Sequence, residues 1–149
     1  MTHELSRYLF LAGATPVVLL GAAHACLTPR RPGLPTGLSP ADPHLAELMS
    51  QTRLRLTPRT DMWRAWVGFN YSHGLGLMVL GGLVLLSGSS ELLFATGAAI
   101  LVPFAFFASA IYLLLAIKYW FRAPILGCGL SFLLFLCSWI LLPGGGVGR

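Results

Sequence analysis

Charged side chains are scarce in this sequence: five acidic and ten basic residues among 149, about 10% of the chain against 56% hydrophobic. A soluble globule carries about 25% charged residues, so this composition excludes a freely soluble fold and makes lipid the natural solvent. Acidic residues are half as many as basic ones, and none falls inside the long apolar runs. That absence argues against a proton relay or cation pathway built from intramembrane carboxylates. Cysteine is limited to Cys26, Cys128 and Cys137, with no CxxC spacing. Neither a disulfide framework nor a zinc site follows from them, and they read as buried thiols.

What is present is apolar length. A spanning helix needs about 20 mostly apolar residues, and four stretches qualify: Tyr8 to Leu27, Trp66 to Ser87, Leu92 to Ile117 and Ala123 to Leu142. The fold class is therefore an all-α membrane protein, a four-helix transmembrane bundle forming one domain over residues 1–149, with residues 28–65 as a large loop. Pro103 and Pro16 fall within the third and first stretches, where proline removes a backbone hydrogen bond and bends a helix. Arg7, the first apolar run and Ala23-His24-Ala25-Cys26 imitate an export signal, but Arg30 and Arg31 follow at once, so the segment is expected to stay as an anchor.

The net charge of +5 sits beside these runs, which points to topology and anionic lipid headgroups instead of nucleic acid. One side of the membrane would hold Arg30, Arg31, Arg53, Arg55, Arg59, Arg64, Lys118 and Arg122, and the other only Arg7 and Arg149. By the positive-inside rule both termini lie outside the cytoplasm and the 28–65 loop lies within it. Arg30, Arg31, Arg53 and Arg59 are the expected headgroup ligands. In this loop residues 28–43 are rich in Pro and Gly and read as an extended crossing. Asp42-Pro43 then opens a short amphipathic helix from His44 to about Leu54, with Leu45, Leu48, Met49 and Thr52 on one face and Glu47, Gln51 and Arg55 opposite. This helix is expected to lie on the membrane surface or lid the bundle. Thr60 or Asp61 can cap the second span, and Trp63 and Trp66 mark the interface.

A polar residue within a span is costly and a functional candidate by default. Those present are His24, Asn70, Ser72, His73, Ser109, Tyr112 and Ser131. Counting rise along the helices places His24, Asn70, His73 and Tyr112 in the inner-leaflet half, with His24 several ångströms shallower than His73. These four are the expected ligand-binding residues. A ridge of small residues, Gly68, Ser72 and Gly76, suits close packing against Gly13, Gly21 and their neighbours in the first span. Haem held between two histidines and a transition metal are both considered as occupants, but a metal lacks a third good ligand, and the sequence leaves the cofactor unknown. Hydrogen bonding between helices is the plainest role for these groups, followed by a lipophilic ligand site.

The segment Trp66-Val-Gly-Phe-Asn-Tyr-Ser-His-Gly-Leu-Gly76, with Gly21-Ala-Ala-His24 upstream, resembles small uncharacterised bacterial membrane proteins of four helices bearing a GFN-x-SH-x-x-G segment. The resemblance implies a bacterial inner-membrane setting and makes Gly68, Phe69, Asn70, Ser72, His73 and Gly76 the copy of that motif, with no activity attached. In architecture the chain is similar to the membrane-associated eicosanoid and glutathione enzymes, in which Arg64 and Asn70 would match two glutathione-holding positions. The Glu of that set is absent, with His73 near its place, and most basic and Tyr residues of their third helix are missing. The lack of acids within the apolar runs argues against the sterol-isomerase and sigma-receptor type. Function thus reads as lipophilic ligand binding. The alternatives are an accessory subunit of a membrane complex or homo-oligomer, and an enzyme using His73 as base.

Overall fold

The computed structural model describes residues 2–142, so Arg149, counted above among the outer charges, lies outside the described residues. Five helices follow in order: α1 (Thr2–Leu27), α2 (Pro43–Gln51), α3 (Met62–Ser89), α4 (Glu91–Tyr119) and α5 (Arg122–Leu141). All but α2 are long and apolar enough to cross a membrane. The chain is an all-α four-helix membrane bundle. The spanning helices run beyond the boundaries read from hydropathy, most of all α1, which begins at Thr2 instead of Tyr8, and α3, which begins at Met62 instead of Trp66. Pro16 and Pro103 sit inside unbroken α1 and α4.

The chain forms two compact units, one built from the segment up to Leu20 and from Leu77 onward, the other from Gly21–Gly76. In the first, Phe10, Ala14 and Val17 of α1 meet Leu77, Leu80 and Val84 of α3, Phe94, Ala98, Val102 and Ala105 of α4, and Phe135 of α5. Phe10 lies 5.5 Å from Phe94 and 5.8 Å from Phe135, ring centre to ring centre. Lipid tails are as apolar as leucine, so helices associate by close packing and hydrogen bonds. Gly13 admits the Phe135 ring so closely that a Cβ there would stand 2.6 Å from it, and Gly81 packs on Val18 and the Ala14 carbonyl.

Polar partners explain why α1 starts early. Ser6 is wholly buried against Ser138 of α5, and Arg7 pairs with Glu4 at 3.0 Å while donating to the Gly88 carbonyl at 3.3 Å. A hydropathy reading ends at such residues; a helix with partners for them does not. Glu4 therefore falls within a spanning helix and Glu91 in the first turn of another, both at helix ends. Ser90 alone joins α3 to α4, its hydroxyl capping Leu93 N at 3.3 Å.

In the second unit, Thr28 closes α1 by donating its hydroxyl to the His24 carbonyl at 2.6 Å. Gly33, with φ of 79°, takes a left-handed turn that favours glycine, and the Thr36 hydroxyl and Leu38 N–H return to the Leu27 carbonyl at 2.5 and 3.1 Å. Asp42 caps α2 through His44 N at 2.9 Å with Pro43 at the first helical position. The helix stops at Gln51, short of the expected Leu54. Thr52 bonds the Leu48 carbonyl with both its N–H and its hydroxyl, and Arg53 pairs in extended form with Asp61. Asp61, not Thr60, caps α3, accepting from Arg64 N at 2.8 Å. The face of α2 carrying Leu45 and Leu48 is exposed, whereas Ala46 is buried. A cavity of about 220 Å³ lies between the 33–41 crossing, Ala46 and Trp63.

Candidate functional site

The densest polar grouping in the second unit is formed by the end of α1 and the first half of α3. They approach tightly at Gly74: a Cβ there would stand 2.9 Å from the Gly21 carbonyl oxygen and 3.2 Å from the His24 Cβ. Only glycine allows the backbones so near, and that approach brings His24 and His73 together, with ring centroids 4.9 Å apart and planes inclined by 55°. The two rings meet although they stand at unequal distances from their helix ends. His73 lies 11 residues into α3 and His24 three residues from the end of α1.

The ridge that makes this contact is not the expected one. Gly68 faces open space and Ser72 is exposed, its hydroxyl turned back to the Phe69 carbonyl at 2.9 Å. Gly74 sits on the buried face instead, one position after His73. The GFN-x-SH segment holds that glycine in plain view, but three- and four-residue spacing from Gly68 selects a different side of the helix.

Asn70 is 3% exposed. Its Nδ2 donates to the Trp66 carbonyl at 2.8 Å, and its amide lies beside the His24 imidazole. With Nδ2 engaged, Oδ1 is the acceptor suited to an imidazole N–H. Phe69 stacks on His73 with centroids 5.9 Å apart and planes at 20°. Both imidazoles are half-buried, so the pair combines hydrogen-bonding groups, an aromatic wall and access from outside within apolar surroundings. Such a combination can orient the polar end of a mainly apolar molecule.

Two contributors were not among the four expected ligand-binding residues: Phe69, named only as part of the motif, and Thr28, which donates to the His24 carbonyl from beyond the apolar run. Tyr112 stands on α4 and packs against the apolar core of the first unit. Ser109 and Ser131 are buried in that same unit, Ser109 donating to the Phe106 carbonyl at 2.8 Å. Of the headgroup candidates, Arg30, Arg31, Arg53 and Arg59 are all exposed.

A haem between the two histidines does not fit this spacing. With metal–nitrogen bonds of about 2 Å, two axial imidazoles hold their centroids about 6 Å apart across the porphyrin plane, and the rings here are closer. Among the described residues, no group of three His, Cys, Asp or Glu side chains converges as a metal site. No family model, no curated protein and no solved structure matches this chain.

Proposed function

We propose that this chain is a multi-pass protein of the bacterial inner membrane that binds a lipophilic ligand carrying a hydrogen-bonding head, at a site made by His24, Asn70 and His73. The observation that carries the reading is the His24–His73 contact at 4.9 Å, with the buried Asn70 amide beside it. Two histidines and an asparagine in a hydrocarbon setting exceed what helix association requires in a bundle already packed through glycine. The imidazoles supply donor and acceptor, Phe69 a flat apolar wall, and the apolar surroundings suit a tail. Membrane lipids are the general partners, with Arg30, Arg31, Arg53 and Arg59 toward headgroups, and the basic 28–65 loop on the cytoplasmic side so that both termini lie outside.

Native mass spectrometry and an absorption spectrum on protein purified in mild detergent test this. The reading expects a retained small molecule that is lost in His73→Ala while the protein stays folded. Folded protein that carries no molecule, in wild type and variant alike, overturns it.

A second reading, an accessory subunit, is favoured by one feature of α4. Ile100, Phe104, Phe107 and Ile111 form an exposed stripe at helical spacing, which suits a neighbouring membrane chain as well as lipid. Native mass spectrometry distinguishes them, since a docked subunit retains a protein partner and is indifferent to His73→Ala.

A further inference from the structure

The loop joining α2 to α3 displays a leucine where water would penalise it. Leu56 is 93% exposed, the most exposed large hydrophobic side chain among the described residues. The loop is not slack. At its base Arg53 pairs with Asp61 and Met62 N–H donates to the Thr52 carbonyl at 2.9 Å. Across it, Arg53 Nη1 donates to the Pro58 carbonyl at 3.0 Å and Arg59 N to the Thr57 hydroxyl at 3.2 Å. These bonds hold Leu56 outward at the tip.

The charges around it are of one sign. Arg53, Arg55 and Arg59 are exposed, and no acidic residue lies between Arg53 and Thr60. Alternation of arginine and leucine in Arg53-Leu54-Arg55-Leu56 is the composition of a segment that sits among anionic headgroups with its apolar side chains below them. Position supports it: Leu56 precedes the first residue of spanning helix α3 by six residues, and buried Trp63, an interfacial residue type, follows directly. On the neighbouring helix α2, Leu45 and Leu48 are exposed as well.

We propose that residues 53–59 are a preformed membrane wedge, in which Leu56 enters the acyl-chain boundary of the bilayer crossed by α3 while Arg53, Arg55 and Arg59 engage anionic headgroups. The occupant is the lipid surface itself, chosen by charge complementarity and by continuity with the lipid-facing helices. Because the loop is already hydrogen-bonded, seating it orders little new chain. The wedge rests on the headgroup role proposed above for Arg53 and Arg59, and is independent of any ligand at the histidine pair.

A genetically encoded dansyl residue at position 56 of the otherwise native full chain, reconstituted in nanodiscs, reads the environment directly. A control label replaces Gln51, an exposed polar position on α2. In equal amounts of phosphatidylcholine and phosphatidylglycerol, the label at 56 is expected to emit to the blue of the control and to be quenched by lipids doxyl-labelled near the headgroup. In pure phosphatidylcholine, or with Arg53→Gln, Arg55→Gln and Arg59→Gln combined, that quenching falls by at least about five-fold, as expected for the loss of several basic contacts. Far-ultraviolet circular dichroism verifies that each variant keeps its helices. A label reached by aqueous iodide in both lipids overturns the wedge. Equal lipid quenching in both compositions overturns the headgroup role, and a label shielded from iodide yet untouched by doxyl lipid shows that protein covers the loop and overturns the proposal.

Discussion

Ser6 of α1 and Ser138 of α5 exchange hydrogen bonds in both directions: Ser6 Oγ donates to the Ser138 carbonyl and Ser138 Oγ to the Ser6 carbonyl, each at 2.8 Å. Both side chains are fully buried, so the first spanning helix is fastened to the last at a depth where water does not compete. The reciprocity predicts coupling. Ser6→Ala and Ser138→Ala should each destabilise the bundle by about 0.6–1.7 kcal/mol, the range for interhelical hydrogen bonds in membranes. The double variant should lose less than the sum, because each single change already breaks part of the shared pair. Unfolding in mixed detergent and dodecyl sulfate measures this; strict additivity would show that the two hydroxyls act separately.

Glycine 74 and glycine 68 should respond in opposite ways. A methyl at Gly74 meets a backbone oxygen at 2.9 Å that has little freedom to move, so Gly74→Ala should destabilise by about 1–3 kcal/mol through overpacking. A methyl at Gly68 meets nothing within 4 Å, so Gly68→Ala should be neutral or stabilising by up to about 1 kcal/mol through helix propensity. The same unfolding assay compares them, and a Gly68→Ala that destabilises as much as Gly74→Ala would return the contact to the ridge read from sequence.

The particular successes and failures of sequence reading share one origin. Apolar length shows where helices cross, and Asp42-Pro43 shows where α2 begins, because both are local properties of the chain. Which face of a helix meets its neighbour is not local. Gly68, Ser72 and Gly76 form as regular a ridge as any, yet the contact runs through Gly74, and nothing within α3 records where the Gly21 carbonyl will lie. The early start of α1 was hidden likewise: Ser6 and Arg7 look like an end until Ser138, Glu4 and Gly88 supply partners. His24, Asn70 and His73 were legible as costly polar groups, whereas the ring contact between the two histidines depends on how α1 meets α3 at Gly74, which neither segment records alone.

Removing the Asp61 carboxylate should loosen the entry of α3 and leave the bundle standing. It accepts from Arg64 N at 2.8 Å and lies 3.5 Å from the Arg64 guanidinium. The backbone cap is the larger effect, about 1 kcal/mol for such a residue replaced by alanine, while the ion pair with an exposed arginine adds little. Asp61→Ala should therefore speed amide exchange at Trp63 and Arg64 with exchange in the middle of α3 unchanged. Faster exchange throughout the helix would mean that this cap controls more than the first turn.

The sharpest test of the histidine pair acts on its neighbour. Buried Asn70 donates to the Trp66 carbonyl and lies beside the His24 ring, and its replacement by leucine keeps similar bulk while removing the amide. The Trp66 carbonyl loses its side-chain donor and the His24 ring faces a hydrocarbon side chain in place of an amide, which costs more than one lost bond because buried polar groups are left unsatisfied. Asn70→Leu should lower stability by about 1–3 kcal/mol and change the ring-nitrogen chemical shifts of His24, since a hydrogen-bonding neighbour selects which nitrogen carries the proton. His73, held by ring contacts to His24 and Phe69, should shift less. Nitrogen NMR on selectively labelled histidine reads both rings at once. An unchanged His24 signal would show that Asn70 does not set its tautomer, and would remove the amide from the site while leaving the contact between the two rings in place.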